Sequence, residues 1–195
     1  MKFFIATKNA HKMQEFSRIL EKSNITLICE KDLKEPIEDV EENGATFREN
    51  ALIKAKSGVK ATGLPSIADD SGLCVDYLDG APGIYSARYA GEHGDDAANN
   101  EKLLKNLSGV PTEKRTARFV CAIACVFPDG REFTVEGVCE GYIAEHLSGN
   151  GGFGYDPLFV TEKGCFGEIS ADQKNAISHR GQAINKFEQE LKKYI

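Results

Sequence analysis

The chain has 195 residues, of which 41% are hydrophobic and 28% charged, with a formal net charge of −6. That balance describes a globular chain with core enough for one domain, and its acidic surplus argues against sequence-independent binding of duplex nucleic acid, which takes a basic surface. No run is long and apolar enough to span a bilayer, no signal-type segment opens the chain, and the six cysteines include no Cys-x-x-Cys pair, so the expectation is a cytoplasmic protein with reduced core thiols.

Residues 2–6 read as a buried strand. It stops at Thr7-Lys8-Asn9-Ala10-His11-Lys12, where a helix begins over residues 10–22 with Met13, Phe16, Ile19 and Leu20 on one face. Asn9 fits an N-cap, and a helix start offers unpaired N–H groups and a positive dipole end to an anion. Two readings fit: an ordinary capped helix with solvated lysines, or a phosphate site. A short strand at 25–28 precedes an acidic loop with Glu38, Asp39, Glu41 and Glu42. Mg²⁺ is usually held by one or two carboxylates plus substrate phosphates, so a loop Glu and a strand-end Asp would suit it. A solvated acidic loop fits as well. Thr46-Phe47-Arg48-Glu49 is a capping box, opening a helix to about residue 61 that ends near Gly63-Leu64-Pro65.

Ser66-Ile67-Ala68 then leads into Asp69-Asp70-Ser71-Gly72, with a further short strand at 73–75. If one strand runs through the acidic pair, Asp69 and Asp70 point to opposite faces and cannot share a proton; one enters a site while the other braces a neighbour. A plain turn is the alternative. Residues 80–94 are loop-rich and 95–107 helical. The run from Phe119 to Phe127 is apolar on both faces, a central strand, and Pro128-Asp129-Gly130 turns the chain. From 131 to about 145 the next strand alternates, with Phe133, Val135 and Cys139 on one side and Thr134, Glu136 and Glu140 on the other.

The segment Gly149-Asn150-Gly151-Gly152-Phe153-Gly154-Tyr155-Asp156-Pro157 sets two aromatics and a carboxylate among glycines. Aromatic faces stack on bases, and a carboxylate accepts from a base edge. Lys174-Asn175-Ala176-Ile177-Ser178-His179-Arg180 brings three donors to a helix start, with Ser178 as its cap and Ile184, Phe187 and Leu191 at helical spacing behind it. No Gly-x-Ser-x-Gly elbow occurs, and His93 and His146 lack ligand-like spacing. Strands and helices interleave around a long antiparallel hairpin, so the sheet is expected to be mixed.

Six blocks in this order carry a resemblance: Thr7 to Lys12, Thr46 to Ala51, Ala68 to Leu73, Gly80 to Tyr89, Gly152 to Pro157 and Ser178-His179-Arg180. The chain resembles the inosine triphosphate pyrophosphatase family, the house-cleaning XTP/dITP diphosphatases, bacterial type, over essentially its whole length. The resemblance implies an α/β fold: a long mixed β-sheet flanked by helices, two lobes with a central substrate cleft, as a single nucleoside-triphosphate pyrophosphatase domain over 1–195. It implies hydrolysis of ITP, dITP and XTP to monophosphate and pyrophosphate, Mg²⁺ dependence and a homodimer, with neither nucleic acid nor membrane as partner. By position, Thr7, Lys8, Asn9, Ala10, His11 and Lys12 would hold the phosphates, Asn9 and Lys12 most directly. Asp70 would accept a proton from the attacking water and bind metal, with Ser71 touching substrate. Glu41, or Glu42 in a shifted register, resembles the second metal position. Phe153, Gly154, Tyr155 and Asp156 would form the base pocket, Phe153 and Tyr155 flanking the ring, and Lys174, His179 and Arg180 would complete it. Lys8 and His11 stand where relatives often carry glycine.

The residues support that chemistry on their own terms. Phosphoanhydride cleavage needs charge neutralisation and an oriented water rather than a covalent nucleophile, which lysines, a carboxylate-held metal and a further carboxylate can supply. Donors at His179 and Arg180 would suit the 6-oxo group of hypoxanthine and xanthine and reject adenine. Two rivals remain: a nucleotide sensor that binds without turnover, and an enzyme of related architecture that clears modified pyrimidine triphosphates.

Overall fold

The computed structural model describes residues 1–195 except Lys8, 21–24, Lys34, Glu38 and Asp39, and gives only the backbone at Ala10, His11, Glu15, Arg18 and Ile19. Seven strands form one sheet in the order β2-β1-β3-β4-β5-β6-β7. They are β1 (Lys2–Ile5), β2 (Thr26–Ile28), β3 (Ser66–Val75), β4 (Thr116–Val126), β5 (Glu132–Ile143), β6 (Phe159–Thr161) and β7 (Gly164–Cys165). At one end β1 runs parallel to β2 and to β3, with Phe3 opposite Leu27 and Phe4 opposite Ser66. At the other, β6 runs antiparallel to β5 and to β7. The sheet is therefore mixed, as expected. β3 is one unbroken ten-residue strand where two pieces were expected, so the acidic pair lies inside regular pleat.

The chain divides into two compact units. The first comprises Met1–Asp70, Cys121–Gly137 and Arg180–Ile195. On one sheet face, helices α1 (Ala10–Leu20) and α5 (His179–Leu191) bury Phe16, Leu20, Ile184, Phe187 and Leu191 against Phe3, Ile5, Ile67, Cys121 and Ile123. On the other, α2 (Phe47–Thr62) packs Ala51 and Ala55 on Ala68, Ala124 and Val126. Alternation along β3 and β4 sorts these sets, Ile67 to one cluster and Ala68 to the other. Small side chains on both partners bring the α2 backbone close to the sheet. Gly58 marks the tightest approach: an added Cβ would strike Ser66 Oγ and lie 2.8 Å from the Phe4 ring. Gly58→Ala is expected to destabilise by about 1–3 kcal/mol through overpacking, outweighing a helix-propensity gain of about 1 kcal/mol; a lower urea midpoint at unchanged m-value would show it.

The second unit comprises Ser71–Val120 and Val138–His179. Its core joins Leu73, Leu103, Phe119, Ile143, Leu158, Phe159 and Phe166, with Phe119 edge-on to Phe159 at 4.6 Å. Helix α3 (Asp96–Asn106) is capped by Asp95, whose side chain accepts from the Ala98 N–H. Past its end the buried Arg115 guanidinium donates to the carbonyls of Leu107, Val110 and Ala144, the first of them an acceptor the helix terminus leaves over. Helix α4 (Ala171–Ile177) has a capping box between Ser170 and Gln173, so Lys174 sits in a helix of its own and not in the lead to the last one. Ser178, expected as the cap of the last helix, follows α4 as its C-cap, its N–H donating to the Lys174 carbonyl, and immediately precedes α5.

Candidate functional site

In the first unit, Asn9 caps α1 as expected, its Oδ1 accepting from the Lys12 N–H at 3.2 Å. The Thr7 hydroxyl accepts from the Asn9 N–H at 3.2 Å, so both side chains shape the loop. Lys8, and the side chains of Ala10 and His11, lie outside the described residues. The Lys12 ammonium does not stand in solvent; it pairs with Asp69 at 2.9 Å.

Because β3 runs straight through the acidic pair, its two carboxylates leave on opposite faces. Asp69 follows Ile67 onto the α1/α5 face and Asp70 follows Ala68 onto the α2 face. Asp69 is 1% exposed and receives Lys12 at 2.9 Å and Arg180 Nε at 3.5 Å. Burial alone would push its carboxyl up; the charges of Lys12, Arg180 and Lys54 outweigh that and hold it below the usual carboxylate range. Asp69 is thus a fixed anion, the brace of the pair. Arg180, expected with His179 at the base, faces Asp69 through its Nε.

Asp70 meets two α2 side chains one turn apart. Its Oδ1 lies 3.2 Å from Lys54 Nζ, and its Oδ2 accepts from Asn50 Nδ2 at 3.3 Å. Lys54 also holds Glu42 Oε2 at 2.8 Å, so the two carboxylates converge on one ammonium. Burial pushes Asp70 above the usual carboxylate range; Lys54 and Lys12 pull it back only in part, and Glu42 raises it further. Burial would lower Lys54, but Asp70, Asp69 and Glu42 more than compensate and keep it protonated. Of the two loop glutamates, Glu42 reaches this point. Glu41 is exposed, and its carbonyl accepts from the Asn43 N–H. Among the described residues no group of three or more His, Cys, Asp or Glu gathers as a metal cage. An all-oxygen pair converging where a cation already sits fits a hard divalent ion that takes its other ligands from water and phosphate.

In the second unit, the glycine-rich loop is tied down from several directions. Asp156 is 2% exposed; its Oδ2 accepts from the Phe153 N–H at 2.8 Å and pairs with Lys174 Nζ at 2.5 Å. The same ammonium lies 4.8 Å from the Phe153 ring centroid and 5.5 Å from that of Phe166, a cation–π arrangement. Gly154 is gripped through both backbone groups: its N–H donates to Asp96 Oδ2 at 2.7 Å and its carbonyl accepts from Asn100 Nδ2 at 2.8 Å. At Gly152, with φ +75°, a Cβ would run into the Asp156 carboxylate, so this turn requires glycine twice over. Tyr155 departs from expectation. Its ring is 4% exposed in the core and its hydroxyl donates to the Ser86 carbonyl at 2.8 Å; it braces the loop and presents no face to a base. Phe153 is half-buried and keeps that role open. His179 is buried, stacked on Phe119 at 4.7 Å and 13°. Ser71 is half-buried at the first position of this unit.

Lys54 and Asn50 escaped the sequence reading, although a signal was there. Both follow the capping box at helical i, i+4 spacing, polar positions amid alanines. None of the six cysteines forms a disulfide, and burial pushes the Cys125 thiol up to about 12, as expected for inert core thiols.

The chain matches a family model described as the Ham1 family over residues 3–190. It is 53% identical over 192 residues to a dITP/XTP pyrophosphatase of Listeria monocytogenes, covering 97% of this chain and 94% of that one. It is 48% identical over 195 residues to a dITP/XTP pyrophosphatase of Bacillus cereus, covering 98% and 95%. Among solved structures, the Staphylococcus aureus Ham1 protein matches with TM-score 0.89 and 42% identity over 100% of both chains. The nucleoside-triphosphatase or dITP/XTP pyrophosphatase of Mycobacterium abscessus matches with TM-score 0.80 and 49% identity over 96% and 97%.

Proposed function

The chain belongs to the Ham1 family, and we infer that it is a hydrolase that converts dITP, ITP and XTP to the nucleoside monophosphate and pyrophosphate. This removes deaminated purines from the nucleotide pool before a polymerase can use them. The convergence of Asp70 and Glu42 on the Lys54 ammonium carries the reading, in a chain that matches such enzymes end to end.

In this proposal 1–195 acts as a single pyrophosphatase domain, with phosphate chemistry assigned to the first unit and base chemistry to the second. Asp70, lifted above the usual carboxylate range, takes a proton from the water that attacks the α-phosphorus. Glu42 and Asp70 would hold Mg²⁺, which would neutralise charge on the phosphate oxygens. Lys54, Lys12 and the α1 start carry the rest of that charge. Phe153 offers a face for stacking, and Lys174 and His179 offer donors for a 6-oxo group. Adenine presents a 6-amino donor there and is refused. Guanine keeps the 6-oxo group but adds a 2-amino donor, and one unpaired buried donor costs about 1–3 kcal/mol. We further propose a cytoplasmic homodimer with neither nucleic acid nor membrane as partner. Among the described residues no helix is long and apolar enough to cross a membrane.

The test is release of pyrophosphate and monophosphate with Mg²⁺ across ITP, dITP, XTP, GTP, ATP and dUTP. The inosine and xanthine nucleotides are expected to lead, GTP to follow with kcat/KM lower by about 10- to 100-fold, and ATP and dUTP to be turned over least. Binding without turnover would establish a sensor instead. Preference for dUTP would establish a pyrimidine enzyme.

A further inference from the structure

We propose that Asn50 is a positioning residue for this reaction: its amide fastens the loop bearing Glu42 to the Asp70 carboxylate and so sets the spacing of the two acidic groups. The inference rests on the reading of Asp70 and Glu42 given above.

Asn50 is 2% exposed in the first turn of α2. Its two amide atoms serve different segments. Oδ1 accepts from the Gly44 N–H at 2.9 Å, and Nδ2 donates to Asp70 Oδ2 at 3.3 Å. A primary amide alone among side chains of this length carries a donor and an acceptor on one planar group. Aspartate there would keep the loop contact and set a second anion against Asp70. The loop side of the clamp is equally specific. A Cβ on Gly44 would lie 2.8 Å from Asn50 Oδ1 and 2.7 Å from Glu49 Cβ, closer than packed atoms sit. The next N–H, of Ala45, donates to Glu49 Oε2 at 2.6 Å, and the Thr46 hydroxyl accepts from the Glu49 N–H. The capping carboxylate thus reaches one residue further back than the sequence pattern indicated, and the loop arrives at Gly44 already fixed to the helix. One turn on, Lys54 joins Glu42 to the other Asp70 oxygen. The cation supplies attraction between the two carboxylates, and the neutral amide supplies registration.

The experiment compares Asn50→Ala, Asn50→Asp, Gly44→Ala and the Asn50→Ala/Gly44→Ala pair. Val59→Ala serves as a stability control on the same helix; Val59 packs against the cluster of Ala51, Ala55, Ala68, Ala124 and Val126. Readouts are kcat and KM for dITP, melting temperature, and Mn²⁺ binding to the nucleotide-free protein by electron paramagnetic resonance. Asn50→Ala and Asn50→Asp are each expected to lower kcat about 10- to 100-fold and to weaken Mn²⁺ binding by a similar factor, as removal of a partner to a metal-binding carboxylate does, with KM within about twofold of wild type. Gly44→Ala is expected to move both readouts the same way, and the pair to be no worse than Asn50→Ala, since the two residues form one clamp. Wild-type kcat and Mn²⁺ binding in the Asn50 variants, with a melting temperature lowered only as in Val59→Ala, would make Asn50 a packing residue and overturn the proposal. Turnover surviving in Asp70→Asn would overturn the underlying reading instead, a separate result.

Discussion

Asp70→Asn is expected to lower kcat for dITP by about 10²–10⁴-fold and to leave a folded protein of near wild-type stability. On the proposed role of Asp70 the loss follows from its chemistry: an amide cannot take the proton of the attacking water, and it is a poor ligand for a hard cation. The stability follows from the direction of the Asp70 shift. Burial holds the carboxyl above its usual range, so at neutral pH the folded protein maintains an anion it disfavours relative to the unfolded chain. A neutral isostere relieves that cost. It leaves an acceptor for Lys54, which also keeps Glu42, but sets its NH2 against the Asn50 donor, which offsets part of that gain. Steady-state pyrophosphate release together with urea unfolding would check both halves. A variant that loses activity only because it unfolds would contradict the assignment.

The neighbouring Asp69→Asn is expected to behave in the opposite way, losing about 3–5 kcal/mol of stability, the cost of removing one partner from a buried ion pair. Asp69 lies 1% exposed between Lys12 and Arg180, and its replacement removes the buried anion that both cations face. In a chain of this size the change corresponds to a melting temperature lower by roughly 6–20 °C. The pH dependence has a definite sign. The folded-state pKa of Asp69 is depressed, so its contribution is fully present above the unfolded value of about 3.9 and is lost as pH falls through the folded one. The gap in unfolding free energy between wild type and Asp69→Asn should therefore stay constant from neutral pH down to about 5 and narrow below about 4. Turnover, measured well below the melting temperature, should fall far less in this variant than in Asp70→Asn, because Asp69 faces away from Asp70 and acts only through Lys12. A pair of adjacent aspartates would then give one inactive, stable protein and one active, unstable protein.

The sequence carried the features that depend on near neighbours in the chain. Asn9 before the α1 run meant a cap, and Asn9 caps. The apolar run at 119–127 meant a central strand, and β4 lies in the middle of the sheet. The period of two along a strand meant that Asp69 and Asp70 diverge, and they do. Ser170-x-x-Gln173 carries a capping-box signal that places Lys174 in α4. Other assignments had no local signal. That Tyr155 points its hydroxyl into the core at Ser86, and that Arg180 turns to Asp69, depends on segments tens of residues away.

The partners of the acidic pair show the same division. Periodicity alone determined that two carboxylates leave opposite faces of β3, because pleat is a property of the backbone. Only the tertiary structure decided which carboxylate is braced between Lys12 and Arg180 and which meets Asn50 and Lys54. Alanines at 51, 55, 68 and 124 let α2 approach the sheet closely enough for Asn50 and Lys54 to touch Asp70, while α1 and α5 bring Lys12 and Arg180 to Asp69. A side chain's charge is written in the chain. Its solvation and its counter-ions come from the elements that pack against it, and those set the proton affinity on which the chemistry rests.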